Sequence, residues 1–361
     1  MLIDGKYLLF DLEPVERSLA KGNEETVQFA EPFSAPAHLA VPDEHRGLIA
    51  GTPLDLDTYI QRVNALCAQY GTAMTVRFYA HYGETFEGRT LRRFPEARSL
   101  VVNCLQRAVD LEEIASLPHL RRLALGVLDM KDRDLLSTLP VERLEYLVLE
   151  ETGTKALDLK PLGKARELRH LRMLAPYKTN IEVLGSLDRV EIFSFSPVKG
   201  VALDFLAGMT GLRALKLVLG GAGGLPDVAL PRLADVAVTQ VRGFSDLGPL
   251  ERFPALERVL VQDQPHLERV ACGPANQRLA HFWFWNCPKL TTLDGFSSLP
   301  AARSLRAFRT GLDIGALSIP PSLTHLSVHT TRMRDAAAER AGIEALGLVD
   351  DTHPDAIFFY K

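Results

Sequence analysis

Few residues in this chain have the types and spacing that catalysis requires, and the neighbouring carboxylates Glu150 and Glu151 are the first candidates. Two carboxyl groups can act together as general acid and general base. Consecutive residues of an extended segment point in opposite directions, however, so we interpret this pair as part of a solvated, salt-bridging surface. The glycine run at residues 220–224 lacks the Lys-Ser/Thr of a phosphate-binding loop, and we interpret it as a flexible turn.

The cysteines and histidines offer no further chemistry. Cys67, Cys104, Cys272 and Cys287 show no CxxC pairing and no histidine at metal-ligand spacing. The histidines are scattered along the chain and form no HExxH motif. The sequence therefore predicts no metal, no cofactor and no catalytic residue, and it favours a protein that is not an enzyme.

The segment LAHFWFWNC, residues 279–287, is the strongest candidate for a recognition site because it contains both tryptophans of the chain. In a strand, alternation turns Phe282 and Phe284 to one side and Trp283 and Trp285 to the other. Tryptophan is enriched at interface hot spots because a large rigid ring excludes water at low entropic cost. Protein recognition is the chemistry that we expect of this segment.

The composition is typical of a soluble cytoplasmic protein. A net charge of −4 without basic clusters gives no support to nucleic-acid binding. No apolar run approaches the roughly 18 residues that a membrane span requires, and the N-terminus lacks the pattern of a secretory signal. Few, irregularly spaced thiols fit a reducing compartment. We expect a cytoplasmic monomer that binds an unidentified protein partner, with export as an effector left as an alternative.

A repeated apolar pattern from Phe94 to Val328 must position these residues. An apolar residue, two variable residues, an apolar, one variable and an apolar recur every 21 to 24 residues, in eleven consecutive units. The first apolar positions are Ala97, Leu120, Leu144, Leu168, Val190, Leu212, Leu233, Leu256, Leu279, Ala302 and Leu323. Ahead of several units the apolar residues continue at intervals of three, which favours tight turns or 3₁₀ segments.

The strongest units resemble the leucine-rich repeat superfamily, and the resemblance covers about two-thirds of the chain. They are LPHLRRLAL (117–125), VERLEYLVL (141–149), MTGLRALKL (209–217) and FPALERVLV (253–261). The short repeats are similar to the 22–23-residue repeats of internalins and of a protein phosphatase regulatory subunit. The resemblance implies an α/β solenoid with a curved parallel β-sheet on its concave side and 3₁₀ or turn segments on its convex side. Such proteins are mostly extended binding surfaces.

One position departs from the family pattern. Three residues after the last apolar residue, where the family usually has Asn or Cys, the units hold Cys287, Thr152, Thr310 and Thr331, but also Leu105, Leu128, Pro176, Val198 and Gly220. Asn at this position normally bonds the backbone of the neighbouring turn. Its loss predicts less regular coils and assigns the chain to no single subfamily.

Both ends of such an array need cover, because an end coil would otherwise expose its apolar cross-section. We assign residues 1–90 to an N-terminal segment with a helix-strand cap and residues 91–331 to the repeat array. Within the cap, Phe78 is predicted to match Leu100 of the first clear unit. Residues 332–361 are predicted to form a helical cap and a tail whose AIFFY stretch is a final strand or a packed segment.

The resemblance implies that the variable residues flanking the inward apolar positions face the concave side. We predict that a tryptophan patch binds a protein partner there, through Arg258, Leu260, His281, Trp283, Trp285, Asn286, Arg306, Phe308 and Arg309. A weaker tyrosine patch comprises Tyr146, Glu150, His170 and Arg172.

Alternatives stay open for the tryptophans and for the whole chain. The two rings could lie flat over the array, or under a terminal segment, and only stabilise it, and a register slip of one residue would turn them inward. The main hypothesis is a non-enzymatic protein-binding scaffold, with an effector, a toxin-immunity protein or an adaptor as its forms. The rival is an enzyme with a catalytic N-terminal region, which flanks of about 70 and 30 residues disfavour.

Overall fold

The computed structural model describes residues 2–3, 6–7, 12–30, 48–49, 52–53, 56–79, 81–150, 156–330 and 345–348. The chain divides into two compact units, Met1–Asn180 and Ile181–Lys361. Most of the predicted C-terminal cap, residues 332–344, and the tail at residues 349–361 lie outside the described residues.

The first unit is built on a parallel sheet. In chain order its strands are β1 Leu2–Ile3, β2 Lys6–Tyr7, β3 Glu25–Ala30, β4 Leu48–Ile49, β5 Thr52–Pro53, β6 Met74–Tyr79, β7 His81–Glu87, β8 Ser99–Val109, β9 Arg122–Val127, β10 Tyr146–Leu149 and β11 His170–Met173. The sheet runs β3-β6-β8-β9-β10-β11, with β7 also paired to β8, while β1-β2 and β4-β5 are short antiparallel pairs. The helices are α1 Leu12–Leu19, α2 Leu56–Tyr70 and α3 Leu135–Thr138.

The second unit repeats the arrangement of parallel strands. Its strands are β12 Ile192–Phe195, β13 Ala214–Val218, β14 Asp235–Thr239, β15 Arg258–Gln262, β16 Arg269–Ala271, β17 His281–Cys287, β18 Thr292–Asp294, β19 Ser304–Thr310 and β20 His325–Thr330. The parallel sheet runs β12-β13-β14-β15-β17-β19-β20, and β16 and β18 form a separate parallel pair. Short 3₁₀ segments lie between the strands, at Ile181–Ser186, Asp204–Gly208, Leu250–Arg252, Phe296–Ser298 and Ile314–Ala316.

The apolar repeat builds the core, as the sequence predicts. In the unit around β9, Leu120, Leu123 and Leu125 are fully buried. The predicted apolar run with period three falls on a 3₁₀ segment in the second unit, where Ile181 and Leu184 are buried. Each coil therefore places its strand residues and its turn residues in one shared apolar layer.

The structure confirms the helix and the strand predicted for the N-terminal cap. The register predicted for that strand is wrong. Helix α2 ends at Tyr70, and Gly71 follows it with φ +62°. Strand β6 then pairs in parallel with β8, but Val76 lies opposite Leu100 and Phe78 opposite Val102. The predicted match of Phe78 to Leu100 is therefore two residues out. β3 adds a further strand to the same sheet.

The glycine run at residues 220–224 forms a turn that contacts the neighbouring coils. Gly221 and Gly224 form isolated parallel bridges with the next coil, at Arg242 and Asp246. Gly220 has φ +66°, and a β-carbon there would lie 2.1 Å from the carbonyl oxygen of Pro197. Only glycine permits this approach of two backbones.

Buried polar side chains hold the turns of three successive coils in the second unit. The Cys287 thiol donates to the carbonyl oxygen of Val261 at 3.7 Å. The Gln264 amide donates to the Gln262 carbonyl oxygen at 3.1 Å, and the Thr310 hydroxyl accepts from the backbone of Leu312 at 3.5 Å. These coils therefore keep a substitute for the family's Asn. Thr152 and Thr331 lie outside the described residues.

Candidate functional site

The strand register settles which way the tryptophan segment faces. Phe282 and Phe284 are 2% and 0% exposed and lie in the core, so Trp283 and Trp285 project from the opposite, concave face of the sheet. The predicted alternation is thus present, and the register slip is excluded. The concave side chains of the second unit form three rows across its strands, because the parallel pairing keeps corresponding residues side by side.

The middle row contains Trp283 between Leu260 on one side and Arg306 on the other. The ring packs on Ala237 and Leu260, and Leu260 is only 3% exposed. The Arg306 guanidinium lies 5.1 Å from the Trp283 ring centroid, in a cation–π contact. Arg306 itself is 4% exposed, so this contact is desolvated.

The outer row contains the most accessible aromatic surface of the patch. Trp285 lies opposite Phe308, with ring centroids 5.0 Å apart and planes inclined by 38°. Trp285 is 40% exposed. The pair is held in place by its own contact and still offers apolar area to a partner, which is the property of an interface anchor.

The first row carries contacts within the chain, and Arg258 takes part in one of them. Its guanidinium makes two hydrogen bonds to the carboxylate of Asp235, one of them at 2.7 Å. The ring nitrogen Nδ1 of His281 lies 2.9 Å from the hydroxyl of Ser304. Asp235 and Ser304 were not predicted, although a spacing of 23 residues places each beside its partner.

Asn286 and Arg309 lie near the C-terminal ends of β17 and β19, at the corner where the backbone turns, and not in the three concave rows. Both have left-handed backbones, with φ of +53° and +51°. The Asn286 amide donates to Asp263 at 2.7 Å, and the same carboxylate accepts from Gln240 and Gln262, each at 3.2 Å. The corner is therefore a fixed polar edge beside Trp285.

The tyrosine patch forms on the concave face of the first unit. Tyr146 and His170 lie opposite each other with ring centroids 4.4 Å apart, and the Arg122 guanidinium lies 5.2 Å from the Tyr146 ring. Glu150 forms an ion pair with Arg172 at 3.9 Å. All four predicted residues are thus brought together, as two neighbouring pairs.

Three residues that the prediction left out extend this patch. Asn103 donates to Glu150 at 3.3 Å and accepts from the Nε of Arg77 at 2.9 Å, and the Arg77 guanidinium lies 4.9 Å from the Tyr79 ring. The sequence signal that could have identified Arg77 and Tyr79 is the alternation in TVRFYAHY, which turns both side chains outward. The register of the repeat could have identified Asn103, which follows the last apolar residue of the first unit.

Three cysteine thiols of the described residues are held in the protonated form. Burial raises the pKa of the Cys67 and Cys272 thiols to about 12 and that of Cys287 to about 11, so these thiols are protonated at neutral pH. No group of three or more His, Cys, Asp or Glu among the described residues is arranged to hold a metal ion.

The second unit also has an open cleft of about 910 Å³, lined in part by Asp246, His266, Glu268 and Arg269. Arg269 forms an ion pair with Asp294, and Glu268 forms one with Lys289 at 3.7 Å, so these two lining charges are paired with residues outside the cleft. In the part of the chain that the structure describes, no helix has the length and apolarity to span a membrane.

Comparisons with known proteins bear on the fold. No protein-family model and no curated protein matches the sequence. Among solved structures, a chain of the Drosophila Toll–Spätzle complex aligns at TM-score 0.54 and 14% identity, over 84% of this chain and 46% of that one. This chain thus spans less than half the length of that match.

Two Listeria monocytogenes proteins also align. The internalin inlF aligns at TM-score 0.40 and 15% identity, over 67% of this chain and 83% of its own. The functional domain of InlJ aligns at TM-score 0.44 and 14% identity, over 71% of this chain and 58% of its own. The repeat register and the alignment with the Toll–Spätzle chain together identify the fold as a leucine-rich repeat solenoid.

Proposed function

Because the chain is a leucine-rich repeat protein, we propose that it is a non-enzymatic scaffold that binds a protein partner through the tryptophan patch. The observation that carries this proposal is the pair Trp285 and Phe308, whose rings are preordered at 5.0 Å while Trp285 remains 40% exposed. A preformed anchor loses little conformational entropy on binding.

The three rows contribute differently in this proposal. The outer row contacts the partner, because its aromatic area is accessible. The middle row supports the outer row, with Leu260 and Arg306 buried and Trp283 partly buried. Arg258 and His281 fix the first row through their contacts with Asp235 and Ser304. Truncation of a central aromatic anchor typically costs about 2–4 kcal/mol, or roughly 30-fold to 1,000-fold in Kd.

The test is an affinity capture by the full chain with quantitative mass spectrometry of the captured proteins. Trp285→Ala/Phe308→Ala should lose the partner, while circular dichroism and Tm show that the array remains folded. Tyr146→Ala/His170→Ala is the matched control, since it removes a contacting ring pair from the concave face of the first unit. If the first variant keeps every partner of the wild type, the proposal is wrong. Loss only in the control would move the binding site to the tyrosine patch.

An effector, an immunity protein and an adaptor would all use such a patch, and the identity of the captured partner distinguishes them. A toxin that regains activity when Trp285 and Phe308 are truncated would assign the immunity role. We also propose a cytoplasmic location, because all four cysteines are free thiols and a reducing compartment preserves that state. A tagged chain recovered outside the cytoplasm would contradict this location.

A further inference from the structure

A carboxylate is fixed at the polar edge beside the exposed ring of Trp285. The backbone N–H of Asp263 donates to the carbonyl oxygen of Trp285 at 2.8 Å. The Asp263 side chain accepts hydrogen bonds from three amides, that of Asn286 at 2.7 Å and those of Gln240 and Gln262 at 3.2 Å each. The carboxylate is therefore held next to Trp285 before any partner arrives.

The amides fix this carboxylate without neutralising it. An amide N–H is an uncharged donor, so Asp263 keeps its negative charge, and three hydrogen bonds leave part of the acceptor capacity of its two oxygens unused. Asp263 is partly exposed. The ion pairs of the described residues in the second unit join other side chains, and Asp263 takes part in none of them. A cationic group of a partner is the complement of this charge.

The ring of Trp285 supplies the second half of a cation site. A guanidinium or ammonium group is attracted to the face of an aromatic ring, and tryptophan gives the strongest such contact. Trp285 is 40% exposed, and the chain uses the same chemistry one row away, where the Arg306 guanidinium lies 5.1 Å from the Trp283 centroid. Arginine suits the site better than lysine, because its planar group can stack on the ring and donate to the carboxylate together.

The opposite charge lies on the other side of the aromatic pair. Arg309 directly follows Phe308, is exposed, and takes part in no ion pair of the described residues. The strands that precede Asp263 and Arg309, β15 and β19, flank β17, so the two residues are roughly 10 Å apart at the usual strand spacing. The edge is therefore dipolar, with its negative charge beside Trp285 and its positive charge beside Phe308.

We propose that this edge binds a segment of the protein partner that carries an arginine and an acidic residue about three positions apart, the distance that spans roughly 10 Å in an extended chain. The arginine stacks on Trp285 and donates to Asp263, and the acidic residue pairs with Arg309. An apolar side chain between them covers the aromatic pair. This specificity rests on the proposed protein-binding function of the tryptophan patch.

The test uses random twelve-residue peptides displayed on phage and selected on the full chain. Peptides that also bind Trp285→Ala/Phe308→Ala are removed, so the remaining sequences depend on the aromatic pair. We expect these sequences to be enriched in arginine, with an acidic residue about three positions away. Selection on Asp263→Asn should lose the arginine enrichment, because asparagine removes the charge and still suits the left-handed backbone of this position.

Charge reversal gives a matched pair of variants. Asp263→Lys/Arg309→Glu exchanges the two charges of the edge and should invert the order of the arginine and the acidic residue along the selected peptides. Arg269→Asp/Asp294→Arg makes the same exchange in the separate β16–β18 pair and should leave the selected sequences unchanged. Circular dichroism and Tm show that each variant is folded.

A single selected peptide then tests the contact itself. Citrulline in place of its arginine removes the positive charge with little change of shape, and should weaken binding to the wild type about fivefold. Asp263→Asn should weaken the original peptide by a similar factor. The two changes together should cost little more than either one, because each removes the same interaction.

Four results would overturn this specificity. They are peptides that depend on Trp285 but lack arginine enrichment, an enrichment that persists on Asp263→Asn, losses from citrulline and Asp263→Asn that multiply, and a selection that yields no peptide dependent on the aromatic pair. None of them touches the affinity capture of a partner through Trp285 and Phe308, so the protein-binding proposal stands or fails by that separate test.

Discussion

The contact between Arg306 and Trp283 allows a quantitative test of how far the middle row is desolvated. Its guanidinium-to-centroid distance is 5.1 Å, and the contact between Arg122 and Tyr146 in the first unit has nearly the same distance, 5.2 Å. The burial differs: Arg306 is 4% exposed, whereas the side chain of Arg122 is 30% exposed and also pairs with Glu24 at 2.8 Å. Cation–π contacts contribute about 0.5–1 kcal/mol at exposed sites and about 2 kcal/mol when desolvated.

We therefore expect a coupling energy of about 2 kcal/mol between Arg306 and Trp283 and of about 0.5–1 kcal/mol between Arg122 and Tyr146. Each is measured by a double-mutant cycle, Arg306→Met with Trp283→Leu and Arg122→Met with Tyr146→Leu. Methionine keeps an unbranched apolar stem and removes the charge. Urea unfolding followed by far-ultraviolet circular dichroism gives the free energy of unfolding, and the cycle cancels the packing that each single substitution loses.

Two outcomes would refute the reasoning. A coupling between Arg306 and Trp283 below about 0.5 kcal/mol would mean that the ring and the guanidinium do not act as a unit. Couplings in the two units that agree within about 0.3 kcal/mol would mean that burial does not set their strength. A change in the m-value of any variant would indicate an altered unfolding transition, and that cycle would then be repeated with Arg→Gln.

Two further predictions concern the coils themselves. A β-carbon at Gly208 would lie 2.0 Å from the carbonyl oxygen of Gly185, so Gly208→Ala should cost about 2–3 kcal/mol, whereas Gly223→Ala, with open space around it, should stabilise the chain by about 0.4–1 kcal/mol. Urea midpoints that are equal for the two variants would contradict the close approach of these backbones. The buried Cys272 thiol has a pKa raised from 9.0 to about 12, so its stabilising contribution is complete below pH 9 and is lost as the pH rises toward 12. The stability of the wild type relative to Cys272→Ala should therefore fall by about 2 kcal/mol between pH 8 and pH 10.5, and a constant difference would contradict the burial.

The sheet and its core could be predicted because the repeat pattern specifies both the buried positions and the pairing of the strands. Apolar residues at fixed offsets select the buried side chains, and a spacing of 21 to 24 residues sets which residues lie side by side. The same spacing could have predicted the ion pair of Arg258, since Asp235 precedes it by 23 residues. β3 was not predictable in this way, because 49 residues separate Val27 from its partner Val76 and no unit of the repeat lies between them.

The corner residues could not be placed from the pattern. Alternation along a strand predicts an inward or outward side chain for each residue, and it fails where the backbone enters the left-handed region. This happens at Leu219, Gln240, Asp263, Asn286 and Arg309, each one residue after the outer row. Asn286 and Arg309 were therefore assigned to the concave patch, although both residues have a left-handed backbone that interrupts the alternation.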